Sequence, residues 1–356
     1  MHPSTLLEGF GNLLPWNLSR RRCFVSMIFG VFTSASVQQH KMARGFRLHE
    51  TSQAKTDSIC TRIRNFFRDF TINEGDFAQA LVKISGLQGP YTLALDRTNW
   101  KFGVLDINFL VLAVVVNHTI AFPILWTLLP KAGNSNSTER IHILKTFIDL
   151  FGIEMIHEIT ADREFIGKVW VDFLIQSKVS FYIRIKENRL VDWGAKNKSM
   201  RCFFSHLKGK KSRFLEVDLD GHRLFFEGAR TPTGELIIVM SNKQGARNLL
   251  KTYKNRWTIE LLFKNLKSSG FNLEETHVRH LDRLHKLFAV VTMACVLAFL
   301  TGKQQEKISK TPYRKTVKSP LFSTFRRGFD WIRQLIDWGE NKAIKHFQEL
   351  FGKIIR

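Results

Sequence analysis

The amino-acid sequence predicts an α/β fold: a mixed core of strands and helices with a β-rich insertion, flanked by helical N-terminal and C-terminal regions. Three observations carry this. Residues 1–86 and 303–356 repeat apolar side chains at helical spacing. Residues 91–160 place three β-type runs, an amphipathic helix and a further β-type run in order. Residues 190–245 break into short β-type runs around a hairpin signal. With 356 residues and a hydrophobic fraction of 44%, the chain can bury a sizeable core and form two or three structural units.

In the first region, residues 20–33 suit one helix. Ile59, Ile63, Phe66 and Phe70 recur at helical spacing, as do Phe77, Leu81 and Ile84. Gly86-Leu-Gln-Gly-Pro90 is a breaker, and the pattern changes after it. Residues 91–96 read as a strand ending on Asp96, 102–116 as a second strand and 118–128 as a third. A polar loop, 131–138, leads to Thr138, a helix cap before Ile141, Leu144, Phe147, Ile148 and Phe151. Gly152 suits the end of that helix. Residues 153–160 read as a strand, and Asp162 follows at once.

Three strands, a helix and a strand, with acids at the ends of strands one and four, is the layout of a ribonuclease H-like core. In such α/β sheets functional groups collect where strands end. A helix over 165–176 and a strand over 180–186 follow. There Phe181, Ile183 and Ile185 alternate with Tyr182, Arg184 and Lys186, so one face packs inward while the other offers two cations. In the insertion, Lys208, Lys210, Lys211 and Arg213 form a basic loop. Runs over 214–219, 222–228 and 235–241 read as strands, with Asp220-Gly221 as a tight turn. Residues from 244 to about 302 read as helical, and Phe322, Phe325, Phe329, Ile332 and Ile336 predict a last helix. The boundaries are 1–86, 87–189, 190–245, 246–302 and 303–356, with 87–189 and 246–302 as two parts of the core.

Charge narrows the function. Lys plus Arg number 54 against 31 Asp plus Glu, a formal net charge of +23. Proteins that lie along phosphates gain from this excess, because neutralised phosphates release counterions. A generally basic protein or an anionic membrane surface stays open on charge alone. Arg62, Arg64 and Arg68 lie among the N-terminal helical repeats, which suits a helical DNA-binding region; a plain amphipathic bundle fits too. The four cysteines are scattered without a C-x-x-C, which argues against a zinc cluster or disulfide framework and for a reducing cytoplasm. His277 and His280 form an H-x-x-H without further ligands nearby, and read as surface or DNA-facing. The apolar stretch 102–129 is interrupted by Asp106, Asn108, Asn117, His118 and Pro123, and 287–300 is shorter than the roughly 20 residues a spanning helix needs. Both read as core, and no membrane partner is expected.

Tyr253, Arg256, Glu260 and Lys267 share one narrow face if helical, since each residue advances about 100°. A phenol, two cations and a carboxylate suit gripping a phosphate while supplying one metal ligand. Taken alone, an exposed face with an Arg256–Glu260 pair fits as well. Downstream of two strand-end aspartates, however, Glu260 would complete three hard carboxylates, the set that Mg²⁺ or Mn²⁺ requires. Arg97, Asn99 and Arg163 flank this set and suit either ligand orientation or salt bridging. Trp193 could stack on an extruded base, or simply pack.

Four blocks in order carry a resemblance: Asp96-Arg-Thr-Asn-Trp-Lys-Phe-Gly103, Gly133-Asn-Ser-Asn-Ser-Thr-Glu-Arg140, Ala161-Asp-Arg-Glu-Phe-Ile-Gly167 and the Tyr253, Arg256, Glu260, Lys267 stripe. Together they resemble the DDE transposases of bacterial insertion sequences, in the Y-R-E-K signature branch, insertion-sequence family four. The resemblance spans about residues 19–302. It implies that Asp96, Asp162 and Glu260 are catalytic and hold two divalent ions, and that Tyr253, Arg256 and Lys267 hold the DNA backbone. Trp257 matches a tryptophan the family often has there and would contact DNA. Arg184 and Lys186 are the further candidates for DNA contact. The 260 − 162 = 98 residue gap between the last two acids fits the family's β-strand insertion. Also implied are double-stranded DNA partners (terminal inverted repeats and target), a homodimer in a paired-end complex, a hairpin at the element end, strand transfer, and a bacterial cytoplasmic setting. The rival readings are a metal-dependent nuclease or resolvase on the same core and an inactive DNA-binding relative.

Overall fold

The structure, a computed structural model, describes residues 13–48, 54–194, 196–209, 211–245, 247–268, 270–316 and 319–338, with 342, 345, 346 and 349. Lys210 of the basic loop and most of the chain beyond 338 lie outside the described residues. In chain order the elements are α1 (Leu18–Ser34), α2 (Gln39–Met42), a 3-10 turn (Ala43–Leu48), α3 (Thr56–Asp69) and α4 (Glu74–Ser85). Then come β1 (Tyr91–Phe102), β2 (Leu105–Asn117), β3 (Ile120–Leu128), α5 (Ser137–Phe151), β4 (Ile156–Ala161), α6 (Lys168–Gln176) and β5 (Phe181–Ile185). The insertion holds β6 (Leu190–Trp193), β7 (Lys196–Ser199), α7 (Met200–Phe204), β8 (Ser212–Leu219), β9 (His222–Arg230) and β10 (Leu236–Ser241). Last are α8 (Leu249–Tyr253), α9 (Trp257–Lys267), α10 (Leu281–Ile308), β11 (Tyr313–Arg314), β12 (Ser319–Pro320) and α11 (Thr324–Asp337).

Two compact units share the chain. The sheet-bearing unit comprises residues 88–98 and 109–261; the helical unit comprises the N-terminal region to Leu87, residues 99–108 and the chain from Leu262 onward.

In the sheet the strand order is β3-β2-β1-β4-β5-β10-β9-β8-β6-β7. β2 and β3 pair antiparallel, whereas β1, β4 and β5 run parallel. The first five strands form the ribonuclease H-like arrangement that the order of elements predicts. The insertion does not stand apart: β10 pairs antiparallel with β5, and β9, β8, β6 and β7 extend the same sheet. Asp220 (φ 55°) and Gly221 (φ 90°) make the predicted tight turn between β8 and β9. β6 and β7 form a hairpin that these four-residue runs did not announce.

Several boundaries differ from expectation. β1 runs past Asp96 to Phe102, so Asp96 is not at the strand's end. It lies just beyond the parallel ladder, whose last pair is Leu95 with Ala161. α5 is capped by Asn136 rather than Thr138. The Asn136 side chain accepts from Glu139 N (2.9 Å) and Glu139 accepts in return from Asn136 N (2.7 Å), a reciprocal box that outcompetes a later start. The predicted strand over 153–160 opens with a 3-10 turn, Ile153–Met155. α6 starts at Lys168 because residues after Asp162 fold into a turn, with Phe165 N on Asp162 O (2.9 Å).

The helical unit owes its cohesion to helices buried nearly all round. In α1 every residue from Cys23 to Phe32 is buried. Trp16, Phe24, Phe66, Phe70 and Phe77 interlock with ring centroids 4.9–6.5 Å apart. α10 is long and apolar enough to cross a membrane, yet 89% of its most apolar window is buried within the protein. α11 lies close against it: a Cβ on Gly328 would meet Ala298 O at 1.8 Å, and one on Gly302 would meet Thr324 O at 2.0 Å.

Candidate active site

The parallel pairing of β1 with β4 sets Asp96 and Asp162 side by side, each the first residue past the register pair Leu95–Ala161. The third acid arrives on α9. That helix is fixed by α8, which packs on β5, β9 and β10. Leu249 and Tyr253 join Tyr182, Phe225 and Val239 in one buried cluster. Glu227 Oε2 accepts from Leu250 N at 3.1 Å, tying the start of α8 to β9. Between α8 and α9 residues 254–256 form a 3-10 turn. The predicted uninterrupted α-helical face is therefore broken, because a 3-10 turn advances about 120° per residue.

The break aims the side chains. Tyr253 Oη donates to Asp162 Oδ1 at 2.9 Å. Arg256 Nη1 donates to Asp96 Oδ2 at 3.2 Å and Nη2 to Glu260 Oε1 at 2.6 Å. The guanidinium also stands 5.4 Å from the Tyr253 ring centroid. One buried arginine thus spans two of the three acids while its neighbouring phenol holds the third. Lys267 is not part of this cluster. Its Nζ donates to Asn99 O (2.8 Å), pairs with Glu274 (2.7 Å) and lies over the Trp100 ring.

Burial dominates the electrostatics. It pushes Asp96 up to about 7; Arg256 and the Arg97 N–H oppose this, while Glu164 and Asp162 add to it. Burial likewise holds the Tyr253 phenol well above its ordinary range. Burial works against the charge on Arg256, yet Tyr253, Asp96 and Asp162 hold it protonated above an ordinary arginine. Burial thus disfavours the charged form of Asp96, and a nearby cation favours it.

The donor set suits a hard divalent cation: carboxylate oxygens alone, converging from two strands and a helix. The third acid is engaged, because Glu260 is bonded to Arg256. Among the described residues no three His, Cys, Asp or Glu side chains group as a ready metal site. Asp96 and Asp162 stand side by side, while Glu260 is held by Arg256.

Around the acids a second network braces the backbone. Arg97 forms a bidentate pair with Glu164 (2.6 and 2.9 Å) and donates to Gly133 O (2.5 Å) and Asn134 Oδ1 (3.0 Å). Arg140 is buried and donates to Ser135 Oγ, Glu164 O and Ile166 O. The two arginines pin the loop before α5 to the turn after Asp162. Of the two uses left open for Arg97, salt bridging is the one seen. Glu164 and Arg140 were not singled out in the sequence; the signal was their place inside the blocks 161–167 and 133–140. His118 Nδ1 with Asn255 Oδ1 (3.1 Å) was equally unannounced.

The remaining candidates lie on surfaces. Arg184 is occupied by an ion pair with Glu235, whereas Lys186 is exposed. Trp257 is 58% exposed at the first position of α9. Trp193 is partly exposed and packs edge-on to Phe203 at 4.9 Å. An open cleft of about 970 Å³ begins at Asp162 and runs past Arg163, Lys186 and Arg189 to Asp192 and Asp220.

The family model for the transposase DDE domain matches residues 88–297, more than half of the chain and all three acids. The chain belongs to the DDE transposase family. It is therefore a metal-dependent transposase, and residues 88–297, which include Asp96, Asp162 and Glu260, are its DDE domain. Among solved structures it is similar to a piggyBac transposase, seen by cryo-EM in a synaptic complex with hairpin DNA. The TM-score is 0.52 at 10% identity, over 95% of this chain and 76% of that one. That likeness is one of fold. No curated protein sequence matches this transposase.

Proposed function

We infer that this transposase moves a bacterial insertion sequence of the Y-R-E-K branch by cut-and-paste, with Asp96, Asp162 and Glu260 as its catalytic acids. The observation that carries the reading is the Arg256 bridge between Asp96 and Glu260 beside the Tyr253–Asp162 bond. All three acids and two of the signature residues meet at one place.

Two divalent ions, Mg²⁺ or Mn²⁺, when bound would activate an attacking water or 3′ hydroxyl and neutralise charge on the leaving oxygen. The chain's own residues do the rest. Tyr253 fixes one oxygen of Asp162 and leaves the other available. Arg256 holds Asp96 and Glu260 together before loading; once released, it is a fixed cation beside a scissile phosphate. Arg97 and Glu164 keep the two aspartate-bearing segments in register. Lys186, Arg163 and the exposed Trp257 offer cationic and stacking contacts for the strand leaving the site. The substrate is double-stranded DNA carrying terminal inverted repeats, then a target duplex, in the cytoplasm of a bacterium. The hairpin DNA in the piggyBac complex supports a hairpin step here, and a homodimer would pair two ends.

The test is incubation of the full chain with Mg²⁺ and a labelled duplex bearing the element's ends, beside Glu260→Gln. Metal-dependent hairpins and joined products, absent with Glu260→Gln, are expected. Cutting without joining would favour the nuclease reading.

A further inference from the structure

The helical unit holds a cleft of about 470 Å³ that the catalytic reading does not use. It is lined by α2 and α3 on one side and by the connection into α10 on the other. Its polar wall includes Arg64, Arg279, Arg283, His40, His277 and His280, and among the described residues no Asp or Glu lines it. In a chain with 31 acids that absence is informative. Of the acids close in sequence, Glu274 pairs with Lys267 and Asp282 with Lys286, while Glu275 is exposed outside the lining.

The arginines are arranged for a ligand rather than for the fold. Arg64 makes only local bonds on its own helix, to Cys60 O (3.3 Å) and Thr61 Oγ1 (3.2 Å), and has no carboxylate partner among the described residues. Arg279 lies over the Phe102 ring, 5.3 Å from its centroid, and the His277 ring meets the same phenyl at 5.6 Å. Phe102 thus orders a guanidinium and an imidazole without neutralising either. His280 stands at the N-cap of α10, and its side chain makes no cap bond. Arg283 follows almost one turn later. Three guanidiniums and three imidazoles around an open, acid-free cleft match the oxygens of successive phosphodiesters.

We propose that this cleft is a second DNA-binding site, which grips the phosphate backbone of duplex DNA independently of the catalytic acids. It rests on the reading of the chain as a DNA transposase. Contacts of this kind set position and affinity without reading base sequence. The H-x-x-H of His277 and His280 thereby acquires a role as phosphate donors rather than metal ligands.

The experiment is fluorescence anisotropy of the full chain with a labelled duplex, in EDTA, across a salt series. The triple variant Arg64→Gln, Arg279→Gln, Arg283→Gln is set beside a charge-matched control, Lys303→Gln, Lys307→Gln, Lys310→Gln. Thermal melting confirms that both are folded. The slope of log K against log salt should become shallower by about 0.9 for each phosphate no longer neutralised, on the order of 2–3 for the cleft variant and unchanged for the control. Equal slopes for wild type and cleft variant would overturn the site while leaving the transposase reading intact. No DNA binding by the wild type would overturn both. A free anion is separated from DNA by hydrogen exchange: DNA should protect residues 37–40 and 276–283. Protection by inorganic phosphate but not by DNA would overturn the assignment.

Discussion

Arginine serves opposite purposes in the two units. In the sheet-bearing unit Arg256 and Arg97 are each bonded to carboxylates, and Arg256 is nearly sealed from solvent. In the helical unit Arg64, Arg279 and Arg283 line an open cleft without an acid. A buried guanidinium whose acids are supplied by the fold is a strut, and removing it strands those acids. A guanidinium that lacks an internal acid leaves its charge for an external one, and removing it costs affinity instead. Stability and DNA affinity should therefore respond to different arginines.

The largest expected effect tests two of the three acids. Glu260→Gln or Asp162→Asn should lower strand cleavage by about 10³-fold or more, with DNA affinity within about twofold. Gel assays of cleavage and anisotropy of binding decide it; equal losses in both would make these residues general DNA contacts. Next, Arg256→Ala should destabilise the fold by about 3–5 kcal/mol, since it leaves Asp96 buried without its cation. Arg64→Ala should change stability by less than about 0.5 kcal/mol. Urea denaturation of the two side by side is the measurement, and similar losses would erase the distinction. Gly328→Ala gives a packing reference. Crowding Ala298 O should cost about 1–3 kcal/mol without altering the salt dependence of DNA binding.

A subtler effect concerns pH. Asp96 sits near 7 in the folded state against 3.8 ordinarily. A raised carboxylate means that the folded state binds the extra proton, so stability falls as pH climbs from about 4 to 7 and levels off above. Asp96→Asn should melt at nearly the wild-type temperature near pH 4 and a few degrees higher at pH 8. The same titration predicts that Mn²⁺ stabilises the wild type more at pH 8 than at pH 6, read by melting temperature; the reverse order would contradict the burial of Asp96. The smallest effect is that of Trp257→Ala, which should leave stability within about 0.5 kcal/mol and weaken only DNA binding.

What could be read from sequence follows the range of the interaction. Asp96 and Asp162 were legible because an acid beside a β-type run breaks a local pattern. The Tyr253–Arg256–Glu260 set was legible as spacing, although the 3-10 turn that aims it was not: period alone does not distinguish 100° from 120° per residue over three positions. Lys267 follows Glu260 by about two turns on the uninterrupted α9, and there it meets Asn99 O and Glu274 instead of the acids. The Arg97–Glu164 pair joins residues 67 apart and has no local signature. Nor does the pairing of β10 with β5, because alternation identifies a strand but not its neighbour. Strands β8, β9 and β10 of the insertion were therefore found, while β6, β7 and the continuity with the core sheet were not.

That continuity ends the ten-stranded sheet, among the described residues, at β3, which is mostly buried, and at β7, which is exposed. Unpaired margins invite a foreign strand to add on. β3 carries Pro123, which has no N–H to offer, and β7 reads Lys-Asn-Lys-Ser with both lysines exposed. A newcomer would meet a missing donor on one side and like charge on the other. The molecule can thus be concentrated on DNA, with many copies crowded along one polymer, while its sheets resist fusing edge to edge.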